Sequence, residues 1–202
     1  MSRKASIITG ATGQDGSYLC ELLLEKGYDV KCLVRRSTYD IETGNLKPVL
    51  NRIQLYEGDI LDQPVVHKII NDCGEYDRIE IYNLAAQSHV HTSFRCPSYT
   101  FETNTTGILN ILESVRQSSD PSKYRVYQAS TSEMFGKVRE TPQTEETPFY
   151  PRSVYGVSKL AAHWLVKNYR ESYGMYACSG ILFNHESPRR GADFVTKKIT
   201  EG

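Results

Sequence analysis

A glycine-rich turn, set between a buried strand and a helix at the start of the sequence, constrains this chain more than any other feature. Lys4 to Thr9, with Ala5, Ile7 and Ile8 at its centre, reads as a buried strand. Gly10-Ala11-Thr12-Gly13-Gln14-Asp15-Gly16 follows, and Asp15 to Lys26 then reads as a helix with Leu19, Leu22 and Leu23 expected inward. Glycine at such a turn lets the chain reverse tightly and lets a diphosphate approach the backbone. The helix N-terminus adds unpaired N–H groups and the positive end of a dipole. An ordinary strand-to-helix turn uses glycine too, but placement after a buried strand favours nucleotide binding.

The rest of the chain keeps the same alternation. Asp29 to Val34, Ile53 to Glu57, Ile79 to Asn83, Tyr124 to Ala129 and Tyr176 to Leu182 read as strands. Helices are predicted near Gln63 to Cys73, from Pro97 through Ile108, Ile111, Leu112 and Val115, and from Ser153 to Tyr173. Strands alternating with helices predict an α/β fold with a doubly wound parallel sheet. Gly136 to Arg152, rich in Glu, Thr and Pro, reads as a long loop of the kind that often carries function.

Charge narrows the partners. Lys+Arg and Asp+Glu are both 24, which argues against nucleic acid or an anionic membrane surface. The apolar run Ala5-Ser6-Ile7-Ile8 is too short for a signal-peptide core or a membrane span. Cys20, Cys32, Cys73, Cys96 and Cys178 are odd in number and scattered, the pattern of reduced thiols, so a cytoplasmic location is expected. His89 and His91 alternate as on an extended segment, with no Cys or Asp at ligand spacing, so no metal is expected. Asn104-Thr105-Thr106 fits a glycosylation acceptor and is read as coincidence.

Four further groups point to chemistry. At the end of the second strand, where an acid usually holds the ribose 2′-hydroxyl of NAD, stand Arg35, Arg36, Ser37 and Thr38. Two guanidinium groups and two hydroxyls suit a 2′-phosphate, so NADP is the expected cofactor. Asp59 and Ile60, ending the third strand, fall where an adenine would rest. Tyr155 and Lys159 lie one helical turn apart, and a nearby cation favours a phenolate that can act as a base. A chain with 14 tyrosines carries that spacing by chance, so its company decides. Ser130-Thr131-Ser132-Glu133, after the fifth strand, can bring a hydroxyl and a carboxylate to the same pocket.

With Asn83-Leu84-Ala85-Ala86 after the fourth strand, these motifs resemble the extended short-chain dehydrogenase/reductases. Within them the chain resembles the GDP-mannose 4,6-dehydratase family. The resembling segments are Gly10 to Leu19, Gln128 to Glu133, Thr147 to Ser153 and Asn168 to Gly191, with Leu182-Phe183-Asn184-His185-Glu186-Ser187-Pro188-Arg189-Arg190-Gly191 the most specific.

That resemblance implies dehydration of GDP-mannose to GDP-4-keto-6-deoxymannose, the step that opens the route to GDP-fucose, with NADP recycled within each turnover. Tyr155, assisted by Lys159 and Thr131, would take the proton of the sugar 4-hydroxyl, and Glu133 the proton on carbon 5. Water then leaves carbon 6. The resemblance also implies that Leu84, Ala85, Ala86, Gln87, Ser88, Tyr99, His185 and Arg190 join Lys159 in the cofactor site, and that Ser88, Glu133 and Asn184 touch the substrate. Residues 1–182 would form the dinucleotide-binding domain and 183–202 the start of the substrate-binding region. Family members run well past Gly202, so exposed apolar surface is expected where a further lobe would pack. A homo-oligomer, tetramer or dimer, is implied, with Arg35 to Thr38 and Arg189-Arg190 candidates for assembly. A sugar-nucleotide epimerase or reductase of the same superfamily is the alternative enzyme, and Glu133 speaks against the epimerase, which needs no base at carbon 5. A non-catalytic dinucleotide-binding chain or subunit partner is the alternative from another class. Retained Thr131, Glu133, Tyr155 and Lys159 speak against it.

Overall fold

The structure is a computed structural model that describes residues 2–35, 44–192 and 194–201. Six strands, β1 (Lys4–Thr9), β2 (Asp29–Val34), β3 (Gln54–Glu57), β4 (Arg78–Asn83), β5 (Tyr124–Thr131) and β6 (Ala177–Leu182), form one parallel sheet in the order β3-β2-β1-β4-β5-β6. The order reverses between β1 and β4, which opens a crevice at the carboxyl ends of those strands.

Helices cover both faces. Against one pack α2 (Gln63–Asn71), α4 (Pro97–Arg116) and α5 (Val154–Tyr173), and their shared core holds Ile7, Ile69, Ile79, Ile108, Ile111, Leu112, Val126 and Val166. The other face carries α1 (Gln14–Glu25) over Ile8, Val30, Cys32 and Val34. The inward stripe of α1 is Gly16, Cys20 and Leu23, one helical face at spacings of four and three. Leu22 was expected inward; it lies off that stripe and is 46% exposed. Cys20 and Cys32 meet across the α1–β2 contact with sulfurs 3.6 Å apart, a proximity that spacing along the chain does not reveal. All five cysteines are free thiols.

Local chemistry sets the ends of the elements. Pro97 opens α4, where its missing N–H costs nothing. The Ser153 hydroxyl accepts from the Gly156 N–H at the start of α5, and Gly174 ends that helix at φ 64°, a left-handed conformation. His89 and His91 are not on an extended segment. A short helix, α3 (Val90–Arg95), begins there, with the His89 ring as its cap. Asn104 is 1% exposed inside α4 with both ends of its amide bonded, so its acceptor pattern is a packing feature. Phe183, Val195 and Ile199, the last two on α6 (Val195–Glu201), are 57%, 68% and 76% exposed. Among the described residues, no helix is long and apolar enough to cross a membrane.

Candidate active site

A cleft of about 1180 Å³ lies along the carboxyl ends of β1, β2, β4, β5 and β6. That exceeds the ~300–1,000 Å³ usual for one small ligand, so two ligands, or one large ligand and a substrate, can share it.

The β1–α1 turn forms one end. Gly10 has φ 70°, and a Cβ there would stand 2.8 Å from the Ala85 nitrogen. A Cβ on Gly16 would stand 2.4 Å from the Gly10 carbonyl oxygen. Both glycines are therefore dictated by backbone packing. Gly13 caps α1 without any side-chain hydrogen bond, which leaves the first amides of the helix directed at the cleft. Thr12, Gly13, Gln14, Asp15 and Gly16 line the cleft with Gly10, while Ala11 is buried in the core behind them.

The segment after β6 straps across this turn. Gln14 Nε2 donates to the His185 carbonyl (3.2 Å), and the Ser187 hydroxyl donates to Gln14 Oε1 (2.9 Å). The His185 imidazole is 2.8 Å from the Asp15 carboxylate. The Phe183 carbonyl and Asp15 together raise the His185 pKa. Arg189 donates to Ser17 and to Glu21 and lies over the Tyr18 ring, so its guanidinium is spent on α1 within this chain. Arg190 lines the cleft over the Phe194 ring, with Nε 3.3 Å from Glu186 but out of hydrogen-bond alignment.

At the end of β2, Arg35 enters the cleft and donates to the Tyr99 hydroxyl at 2.5 Å. Arg36, Ser37 and Thr38 lie outside the described residues. Asp59 and Ile60 do not reach the cleft. The Asp59 carboxylate accepts from the Leu61 N–H, and Ile60 is 5% exposed against Gly107. Ile60 packs on α4, where Asn110 also donates to its carbonyl. After β4, Leu84, Ala86 and Ser88 line the cleft. Ala85 and Gln87 alternate with them and turn their amides inward, to Thr9 Oγ1 and Asn104 Oδ1.

Thr131, Glu133, Tyr155 and Lys159 converge on the opposite wall, with Asn184 across from them. Thr131 Oγ1 accepts from the Glu133 N–H (3.2 Å), which starts a short 3-10 turn and presents Glu133 as an exposed side chain at the cleft. Tyr155 is 9% exposed, and burial raises its phenol pKa, opposed by the Thr131 hydrogen bond and by the Arg190 charge. Lys159 donates to the Ala129 carbonyl at 2.8 Å, and full burial pushes its ammonium down to about 8. The expected cation effect on the phenol therefore comes from Arg190, while Lys159 is held by a backbone carbonyl. Ser130, 3% exposed, lines the same wall with its hydroxyl unpartnered. Only its place beside Thr131 marks it in the sequence. Asn45, which donates to the Thr12 carbonyl beside the turn, carries no sequence signal at all. The Gly136–Arg152 loop stays out of the cleft. It folds back on itself through Lys137 and Tyr150, and a Cβ on Gly136 would collide with the Tyr150 carbonyl.

The family model described as GDP-mannose 4,6 dehydratase matches residues 7–202, and so takes in every element of this cleft. The chain belongs to the GDP-mannose 4,6-dehydratase family. A protein of that name from Vibrio cholerae serotype O1 is 50% identical over 209 residues, covering 100% of this chain and 55% of that protein. The chain spans about half the length of the curated relatives it matches. The fold is also that of a dTDP-glucose 4,6-dehydratase from Streptomyces venezuelae solved with NAD and TYD bound. Its TM-score is 0.82 at 26% identity, over 96% of this chain and 60% of that one. A Thermus thermophilus UDP-glucose 4-epimerase in complex with NAD gives 0.79 at 29%, over 98% and 60%. The GDP-mannose 4,6-dehydratase family thus shares its sheet with epimerases, and the choice of chemistry rests on the side chains.

Proposed function

We propose that this chain is the dinucleotide-binding and proton-handling part of an NADP-dependent GDP-mannose 4,6-dehydratase. The observation that carries the proposal is the convergence of Thr131, Glu133, Tyr155 and Lys159 on one wall of the cleft whose far end is the glycine turn. On this reading residues 1–182 form the dinucleotide domain and 183–202 begin the substrate-binding region, with GDP-mannose as substrate, in the cytoplasm, on the route to GDP-fucose. A homo-oligomer is part of the proposal.

The residues present fit a dinucleotide. Gly10 and Gly16 let the turn pack closely on its own backbone, the first amides of α1 are uncapped, and Ser130 Oγ is a buried hydroxyl without a partner on the cleft wall. Arg35, at the end of β2, stands where an acid would select NAD, which supports NADP. When bound, the dinucleotide supplies the hydride acceptor for carbon 4 and the hydride donor for carbon 6.

The chain's own residues move the protons. Tyr155 takes the proton of the 4-hydroxyl, with Thr131 bonded to the phenol and the Arg190 charge favouring phenolate. The Lys159 ammonium is fixed on the Ala129 carbonyl one turn along α5 and lines the same cleft. A ketone at carbon 4 acidifies carbon 5, and the Glu133 carboxylate, exposed at the cleft wall, removes that proton. Glu133 is also the group available to protonate the leaving hydroxyl on carbon 6. An epimerase needs no base at carbon 5, so the placement of Glu133 favours the dehydratase. Arg35, Arg190, Lys197 and Lys198 around the cleft suit the diphosphates of both ligands.

Mass spectrometry of GDP-mannose incubated with this chain and catalytic NADP⁺ tests the proposal. The expected product is lighter by one water. Unchanged GDP-mannose, with NADP⁺ bound, would overturn it in favour of a non-catalytic dinucleotide-binding chain.

A further inference from the structure

A continuous run of hydrogen bonds crosses the sheet beneath the cleft. The Ala85 N–H donates to Thr9 Oγ1 (3.1 Å), and the Thr9 hydroxyl donates to Asn83 Oδ1 (2.6 Å). Asn83 Nδ2 donates to Gln128 Oε1 (2.6 Å), and Gln128 Nε2 donates to the Ala129 carbonyl (2.9 Å). The same carbonyl oxygen accepts from Lys159 Nζ. The strand register sets Thr9 beside Asn83 and Asn83 beside Gln128, so three polar side chains stand abreast on β1, β4 and β5. Gln128 is fully buried, and Thr9, Asn83 and Lys159 are each 2% exposed.

A buried primary amide is a costly choice for a central strand, where valine or isoleucine would pack at no polar cost. Gln128 Oε1 satisfies Asn83, but Nε2 reaches only the oxygen that seats Lys159. A carbonyl oxygen has two lone pairs, and with both engaged it cannot swing without breaking a buried hydrogen bond. We propose that Gln128 is a positioning residue for Lys159, holding the Ala129 carbonyl as a fixed seat for its ammonium. The ladder's far end is the Ala85 amide, which packs against Gly10, so the same rung ties the glycine turn to the proton-handling wall. The titratable or charged groups that share the cleft with Lys159 are Tyr155 on α5, Glu133 after β5, Asp15 on α1, Arg35 after β2, His89 and His91 around the start of α3, His185, Glu186, Arg189 and Arg190 after β6, and Lys197 and Lys198 on α6. Gln128 touches none of these in the hydrogen-bond network, so it acts on Lys159 through Ala129 alone.

The test is the pH profile of Lys159 acylation by acetic anhydride, read by peptide mass spectrometry on the full chain without any ligand. In Gln128→Met, a near-isostere with no donor, the midpoint is expected to fall by at least about half a pH unit, roughly a three-fold gain in reactivity at pH 7. Thr9→Val, two rungs away, is expected to move it in the same direction by less. Val126→Ala, a cavity on the same strand, is expected to leave it in place, since loss of packing does not touch the seat. An unmoved or raised midpoint in folded Gln128→Met would overturn the proposal. If that variant fails to fold, an unmoved midpoint in Thr9→Val would do so. A kinetic arm rests on the dehydratase reading: Gln128→Met should slow GDP-mannose consumption at least about ten-fold while NADP⁺ affinity stays within about three-fold. Should the native chain leave GDP-mannose unchanged, the functional reading fails while the acylation midpoints still decide the role of Gln128.

Discussion

The helices at the two ends of the cleft begin in opposite ways. At α1 the cap is Gly13, no side chain satisfies the first amides, and glycines bring the backbone itself to the cleft. At α5 the Ser153 hydroxyl takes the Gly156 N–H, and the helix then carries Tyr155 and Lys159 into the same space as side chains with fixed partners. The first end leaves donors unspent, which suits an anionic ligand that must arrive. The second end spends its polar groups internally, which suits side chains that must stay put while protons move.

Separating the two ends experimentally sharpens that contrast, and the largest effect falls on turnover. Tyr155→Phe is expected to cut dehydration by ~10²–10⁴-fold, while NADP⁺ affinity, measured by fluorescence titration, stays within about three-fold. A parallel loss of affinity would show that the two ends are not separable. Gly16→Ala comes next, because its Cβ meets backbone at 2.4 and 2.6 Å with nothing flexible to give way. Dinucleotide affinity should drop by about 100-fold, equivalent to roughly 3 kcal/mol. Gly13→Ala meets a single oxygen at 3.3 Å and should cost less than about ten-fold in the same titration.

Lys159→Met probes the other end through stability. The folded pKa of about 8 lies below the ordinary 10.5, so between those values the unfolded chain binds more protons than the native one. Native stability should therefore be lowest and flat below pH 8 and rise as pH goes from 8 to 10.5. Urea unfolding of Lys159→Met should show that rise abolished and a gain of roughly 2 kcal/mol at pH 7. A flat profile in the native chain would mean that Lys159 is better solvated than its burial implies.

The smallest effect belongs to the strap. His185 has a raised pKa, so its pairing with Asp15 stabilises fully below the ordinary 6.5 and is lost as pH rises through the folded value. Both side chains are nearly half exposed, at 48% and 41%, so the contribution should stay under about 1 kcal/mol. Hydrogen-exchange protection of residues 183–190, taken relative to the intrinsic rate at each pH, should fall modestly between pH 6 and 8, and that fall should vanish in His185→Ala.

The contrast also explains what the sequence made legible. Glycines at the turn and the Tyr155–Lys159 spacing are local signals, and the structure puts both on one cleft. Six strands alternating with helices were readable from short, largely apolar runs, but their order in the sheet was not. Contacts set by distant pairing were not readable. Ile60 follows the third strand, and no local pattern records its contact with Gly107 and Asn110 on α4. Leu22 has helical spacing, but Gly16 and Cys20 choose the buried stripe of α1. Tyr155 has its cation one turn away in sequence, yet the carbonyl that claims Lys159 is thirty residues upstream. Gln128 sits inside a run that looks like an ordinary strand, and its meaning appears only when Asn83 and Thr9 stand beside it.

The most direct test follows the atoms that the cleft is proposed to move. GDP-mannose carrying deuterium on carbon 4 would be incubated with the chain and catalytic NADP⁺, and the label located in the product by NMR. The account requires a product one water lighter with the deuterium on carbon 6. Deuterium still on carbon 4, now with inverted configuration in a hexose that has lost no water, would contradict it and mark an epimerase in its place.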